Sequence, residues 1–271
     1  MVEETRAPRP PEPEKDQEVT LSVVLPSYRE ASRLAAHVPL LQEYLRQLGA
    51  SHEIIVCDDG SDDAGMTRAV AEELGCRYCA NPRNQGKGAA LRRGMRQARG
   101  RFRIFTDAEI PYELDAIGEV LRGLDAEGFP VVVGDRTLSG SRYFGEVSLG
   151  RYLGSALCAF LVGRLVAGGG FDTQCGLKGF RAEVAEDLFS VSRVERFAID
   201  AELFCIALAR RYAIKRQPVR LRCQEGSSVR LLRDGLALLR DVIRIRRNRQ
   251  RGCYERARVR GGRARPSARR S

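Results

Sequence analysis

"HEIIVCDDG" (residues 52–60) is a short β-branched apolar run that stops on two acids and a glycine. A run of this length reads as a strand, and its near-continuous apolarity suits a strand covered on both faces of a parallel sheet. The same pattern recurs on either side. Upstream, "TLSVVLP" (20–26) is another such run, and "ASRLAAHVPLLQEYLRQLG" (31–49) between the two has helical spacing ending at Gly49. Downstream come a helical "MTRAVAEELG" (66–75), a short strand "CRYCAN" (76–81), a basic helix "GKGAALRRGMRQARG" (86–100) and the strand "RFRIFTD" (101–107). A helix "LDAIGEVLRGLDAEG" (114–128) and the strand "FPVVVGD" (129–135) complete the series. Strand and helix alternate through five strands. That predicts right-handed crossovers and an α/β fold, with a mostly parallel sheet and helices on both faces.

After Asp135 the alternation stops. A polar loop (136–148) leads to an apolar helix at about 150–167, then "GGGFDTQCGLKGF" (168–180), a helix around 198–210, a strand "AIKRQPVRLR" (213–222) and a closing helix at about 229–247. The closing helix is amphipathic, with Leu232, Leu236, Leu239 and Ile243 between Arg-rich flanks. This half has too few regular elements to stand alone and reads as a lobe of the same domain. Residues 1–18 are rich in Pro and charge and read as disordered. The expected layout is a domain over 19–247, divided at 135/136, followed by an Arg-rich tail over 248–271.

The net charge of +11 is a property of that end of the chain. Residues 240–271 hold 13 Arg against 2 acids, so the remainder is neutral. Such a tail suits an anionic membrane surface, RNA, or a plain solvated end. Nucleic acid is the less favoured partner, because the basicity is not spread over the fold. The 8 Cys are scattered and follow no signal peptide, which reads as free thiols in a reducing, cytoplasmic setting. Cys76-x-x-Cys79 has no second pair at zinc spacing and reads as a strand with two thiols. The longest uncharged apolar run, Tyr152–Gly163, falls short of the roughly 20 residues that span a bilayer.

In open parallel sheets, ligands collect at the carboxyl ends of the strands. The polar residues cluster there: Pro26-Ser27-Tyr28-Arg29-Glu30, then Asp58-Asp59-Gly60-Ser61, then Asp107-Ala108-Glu109. "NQGKG" (84–88) opens a helix but fits neither the P-loop nor the dinucleotide fingerprint. It leaves a glycine-flexed helix start carrying Lys87, a phosphate seat of modest specificity. Asp107 and Glu109 stand at i and i+2, which in an extended segment aims both carboxylates one way. They repel unless a cation lies between them, and Mg²⁺ or Mn²⁺ takes such hard oxygen ligands. Taken alone, the pair reads sooner as two acids that solvate a strand end than as a metal site.

The ordered set "VVLPSYRE", "EIIVCDDGSDD", "NQGKGAALRRG", "FTDAE" and "DTQCGLKGF" resembles the family 2 glycosyltransferases of GT-A fold. Among these it is most similar to polyprenyl-phosphate (dolichyl-phosphate) hexosyltransferases, over about residues 20–245. The resemblance implies a nucleotide-diphosphate sugar donor and inversion at the anomeric carbon. It implies that Pro26, Tyr28, Glu30, Asp58 and Asp59 hold base and ribose, with Lys87 at the nucleotide end. Asp107 and Glu109 match the metal motif, although the family usually has Asp in the second place. On the acceptor side it implies a grip on a polyprenyl phosphate by Arg136, Arg151, Ser155, Ser228 and Arg230. Asp172 and Asp200 are the candidate bases should the acceptor be a hydroxyl, and Asp200 with Glu202 marks the acceptor region. "DTQCG" leans towards a glucosyl transfer. A peripheral place on the inner face of the membrane follows from such an acceptor. Two other readings stay open: the same donor chemistry on a soluble acceptor, and a non-catalytic Arg-tailed adaptor.

Overall fold

The computed structural model describes residues 18–144, 163–164, 169, 172–222 and 231–255, with 143–144, 222 and 231–236 as backbone only. Strands β1 (Leu21–Ser27), β2 (His52–Asp58), β3 (Arg77–Ala80) and β4 (Phe102–Phe105) alternate with helices α1 (Ala31–Gln47), α2 (Met66–Glu73) and α3 (Lys87–Gln97). Helix α4 (Asp115–Asp125) and strand β5 (Val131–Asp135) follow. The chain continues through β6 (Arg142–Phe144), β7 (Lys178–Arg181), α5 (Ala182–Val191), α6 (Ile199–Ala209), β8 (Ile214–Pro218), β9 (Arg220–Arg222) and α7 (Leu231–Gln250).

Seven strands form one sheet in the order β3-β2-β1-β4-β7-β5-β8. β1 pairs in parallel with β2 and β4, β2 with β3, and β5 with β8. β7 is antiparallel to both its neighbours, β4 and β5. The sheet is therefore mixed and mostly parallel, as the alternation predicts. β5 does not neighbour β4, because β7 lies between them. One correction concerns 213–222, read as one strand. Pro218 ends β8, and β9 pairs with β6 in a separate two-stranded sheet.

Side chains alternate across each strand, so the sheet feeds two cores. Val23, Leu25, Ile54, Val56, Phe102 and Ile104 pack with Leu34, Leu41, Ala71 and Ile117 of α1, α2 and α4. Val24, Ile55, Cys57 and Phe105 pack on the other face with Leu91, Leu188, Ile199 and Val242 of α3, α5, α6 and α7. In α1 the buried residues are Leu34, Val38, Leu41 and Leu45, the stripe that helical spacing dictates. Each contributes about 1.5–3 kcal/mol by burial. Helix α5 buries Val184, Ala185, Leu188 and Phe189. These layers bring the carboxyl ends of β1, β2 and β4 side by side, with the loop before β7 passing beside them.

Candidate active site

The segment after β4 is a turn. Ile110 donates its backbone N–H to the Asp107 carbonyl at 2.9 Å, and Ile110 takes φ 40°, in the left-handed region. A non-glycine residue there costs on the order of 1–3 kcal/mol and persists only where its surroundings impose it. Buried Tyr112 imposes it by donating its hydroxyl to Thr106 across the turn. The extended geometry expected of Asp107 and Glu109 is thus corrected. Their carboxylates are held by different cations rather than aligned along a strand.

Asp107 Oδ1 lies 2.8 Å from Nζ of Lys87. Lys87 enters from the start of α3, where Gly86 has φ 114° and an added Cβ would lie 2.4 Å from the Glu195 carbonyl. Asp107 Oδ2 is pressed against Gly176, where an added Cβ would lie only 2.2 Å away. Glu109 lies 3.6 Å from Nη1 of Arg33, which also donates to Glu30 at 2.6 Å. Burial pushes the Glu30 carboxyl above its ordinary range; Arg33 opposes this, and the negative charges of Asp107 and Glu109 add to it. Three carboxylates therefore feel one another at the mouth of the sheet. Two hard-oxygen residues, Asp107 and Glu109, suit a divalent ion. Among the described residues no larger His, Cys, Asp or Glu group converges as a metal cage, so further ligands would have to come from substrate or water.

Asp58 and Asp59 are both buried, yet they do different work. Asp58 Oδ1 accepts from Ser61 N and Oγ at 3.1 and 2.6 Å, and Oδ2 accepts from Tyr78 at 2.7 Å. Asp59 accepts from Asn81 Nδ2 at 2.8 Å and from the backbone N–H groups of Gln85 at 3.0 Å and Gly86 at 2.5 Å. Asp59 thus fastens the loop that delivers Lys87. Pro26 is buried in β1 beside Cys57 of β2. Tyr28 is half exposed under the Arg29 guanidinium, which pairs with Asp62. Tyr28, Asp58, Tyr78, Asn81, Arg83 and Asn84 line an open cleft of about 520 Å³ at the ends of β1–β3.

The stretch 172–178 connects the remaining residues. Asp172 is buried and takes a two-pronged contact from Arg136, Nε at 2.6 Å and Nη2 at 2.9 Å, with further N–H donors from Arg136 and Gln174. Burial alone would raise its carboxyl, but the Arg136 guanidinium prevails and holds it below the ordinary range. Lys178, 1% exposed, donates to Asp200 Oδ1 at 2.7 Å and to the Cys175 carbonyl at 2.5 Å. Asp200 Oδ2 receives Lys87 at 3.1 Å. Burial pushes the Lys87 ammonium down, but Asp107 and Asp200 outweigh it and raise it above its ordinary value. Glu202 faces elsewhere: it accepts from the backbone N–H groups of Arg193 and Val194 and from Tyr254 at 2.7 Å. Arg151, Ser155, Ser228 and Arg230 lie outside the described residues.

Three contributors escape sequence reading. Arg33 had a signal, its i, i+3 spacing from Glu30. Lys178 had one too, a lone charge inside "CGLKGF". Gly176 had none, since its role is the space it leaves for Asp107 in the turn after β4.

The family described as glycosyl transferase family 2 matches residues 22–189, more than half of the chain. The human dolichyl-phosphate beta-glucosyltransferase is 32% identical over 243 residues, covering 83% of this chain and 74% of the relative. The Dictyostelium discoideum protein of the same name is 28% identical, covering 84% and 74%. A glucosyl-3-phosphoglycerate synthase from Mycobacterium tuberculosis, crystallised with Mn²⁺, uridine diphosphate and glucosyl-3-phosphoglycerate, shares the fold. Its TM-score is 0.64 at 22% identity, covering 89% of this chain and 82% of that one. On this evidence the chain belongs to glycosyl transferase family 2 and is a transferase.

Proposed function

We propose that the protein moves a hexose, with inversion, from a nucleotide-diphosphate sugar to a polyprenyl phosphate at a membrane surface. The observation that carries this reading is Asp107, held at the carboxyl end of β4 between Lys87 on one oxygen and Gly176 on the other. Beside it lies the open cleft of about 520 Å³, a volume within the range of small-molecule sites. The cleft would take the nucleoside, and Asp107 with Glu109 would meet the diphosphate. A divalent ion bound there, Mg²⁺ or Mn²⁺, would offset the charge that develops on the departing diphosphate. The Mn²⁺ and uridine diphosphate crystallised with the mycobacterial synthase support a divalent ion and a nucleotide donor as the class of ligand.

The state of the two candidate bases favours an acceptor that brings its own anion. Asp172 is locked in the Arg136 fork and held below its ordinary range, so it is a poor proton acceptor. Both oxygens of Asp200 receive an ammonium. A hydroxyl acceptor would need a base that neither supplies. A phosphomonoester is ionised near neutral pH, with a second pKa of about 6, and attacks through an existing oxyanion. The dolichyl-phosphate relatives support the lipid form of that acceptor, and their name supports glucose as the sugar. Among the described residues no helix is long and apolar enough to cross a membrane. A peripheral attachment is supported instead by exposed Leu239 and Ile243 on α7 and Phe197 beside Arg196, set among exposed Arg240, Arg244 and Arg247. The Arg-rich residues of the tail would add attraction of about 1 kcal/mol each near anionic lipid. Labelled sugar should pass to a polyprenyl phosphate and not to the corresponding polyprenol. Equal transfer to both would overturn the reading.

A further inference from the structure

Lys178 and Asp200 have no contact with the cleft, yet they continue the ion pair of Asp107 into the protein. The sequence of contacts is Asp107 Oδ1 to Lys87 at 2.8 Å, Lys87 to Asp200 Oδ2 at 3.1 Å, and Asp200 Oδ1 to Lys178 at 2.7 Å. Side-chain exposure falls along the chain, from 33% at Asp107 to 13% at Lys87, 3% at Asp200 and 1% at Lys178. Both ammoniums also face the Phe105 ring, at 5.9 and 5.6 Å. Two positive and two negative charges alternate, so the group is neutral overall. Replacing such a buried network by apolar side chains is often neutral or stabilising, so stability alone gives little reason for it.

We propose that Lys178 and Asp200 are positioning residues for the donor seat. They stretch Lys87 between two carboxylates so that it claims only Oδ1 of Asp107. Oδ2, in the space Gly176 leaves, is then kept with Glu109 for a divalent ion and the donor diphosphate. Lys178 also holds the Cys175 carbonyl, one residue before Gly176, so a single ammonium fixes both sides of Asp107. This inference rests on the transferase reading of the site.

Positioning and plain charge balance predict opposite signs for one variant. Lys178→Met leaves the group one unit more negative, so charge balance predicts tighter binding of a cation. Positioning predicts weaker binding, because Lys87 is drawn toward the unpaired Asp200 oxygen and the Cys175–Gly176 segment loses its anchor. Asp200→Asn weakens binding on either account. The double variant Lys178→Met with Asp200→Asn restores neutrality. Charge balance predicts wild-type affinity for it, and positioning predicts that it stays weak.

The measurement is Mn²⁺ binding to the full chain by electron paramagnetic resonance with uridine diphosphate present. Thermal midpoints and the donor KM and kcat are recorded alongside. Lys178→Met and the double variant should each raise the Mn²⁺ dissociation constant about tenfold, with donor KM rising more than kcat falls. Tighter Mn²⁺ in Lys178→Met, or wild-type affinity in the double variant, overturns the proposal. Lowered thermal midpoints with unchanged Mn²⁺ affinity also overturn it, since that is a structural role only. If Lys178→Met does not fold, the neutral double variant decides alone. Absence of Mn²⁺ binding in the wild type would remove the metal seat itself, and this inference with it.

Discussion

Gly176→Ala adds one methyl group at the point where the loop before β7 crosses Asp107. The added carbon would lie 2.2 Å from Oδ2 and 2.9 Å from Cγ of Asp107. Ordinary contact needs about 3.4 Å, so the carboxylate must retreat by about 1 Å. It cannot retreat freely, because Oδ1 is tied to Lys87 at 2.8 Å. Misplacing a reacting group by about 1 Å costs about 100-fold in rate, or about 2.7 kcal/mol of transition-state stabilisation. The backbone at 176 lies outside the left-handed region, so alanine is not strained there. The gain of about 0.4–1 kcal/mol that Gly→Ala brings through the unfolded chain offsets part of the cost of displacing the carboxylate. The expected result is a loss of about 100-fold in kcat/KM for sugar transfer, with a thermal midpoint within a few degrees of wild type. Activity within threefold of wild type would refute the claim that Asp107 must occupy this position.

Three other outcomes follow from the same geometry. Asp172 titrates below its ordinary value of 3.8 because Arg136 holds it ionised. A carboxyl depressed on folding adds stability that is present above its unfolded pKa and lost as pH falls through the folded one. Asp172→Asn should therefore flatten the loss of urea stability below about pH 4, and an unchanged acid slope would contradict the assignment. Glu109→Asp withdraws the carboxylate by about 1.5 Å, one C–C bond, so half-saturating Mn²⁺ should rise several-fold while kcat at saturating metal changes little; a lower half-saturation would mark Glu109 as the poorer ligand. The chain has no Trp, so Phe197→Trp creates a single reporter. Its emission should shift to the blue with anionic vesicles, and a shift with RNA but not with vesicles would contradict the membrane surface.

The first half of the fold is legible because β1, β2 and β5 are announced by apolar runs, and β3 and β4 by short stretches set between helical patterns. What could not be read is direction and adjacency. β7 is four residues, "KGFR", with a charge at each end, and nothing in such a segment says that it runs antiparallel or enters between β4 and β5. Helix α5 carries a legible signal of the same kind, the stripe Val184, Ala185, Leu188 and Phe189. The site divides the same way. Asp58, Asp59 and Asp107 are legible as acids at strand ends. That Lys87 belongs to Asp200, 113 positions on, is set by tertiary packing and by no local spacing. The premise that Asp107 and Glu109 share an extended segment fails because Ile110 and Tyr112 close a turn there, a feature that Pro111 and the apolar neighbours do not reveal in one dimension.

One comparison decides the function most directly: release of nucleoside diphosphate from a nucleotide sugar by wild type and by Asp107→Asn, with a polyprenyl phosphate or a soluble phosphate ester as acceptor. The predicted result is release by wild type only with the lipid phosphate and Mg²⁺ or Mn²⁺, and a fall of at least 100-fold in Asp107→Asn. Undiminished release by Asp107→Asn, or release with the soluble ester and none with the lipid, would contradict it.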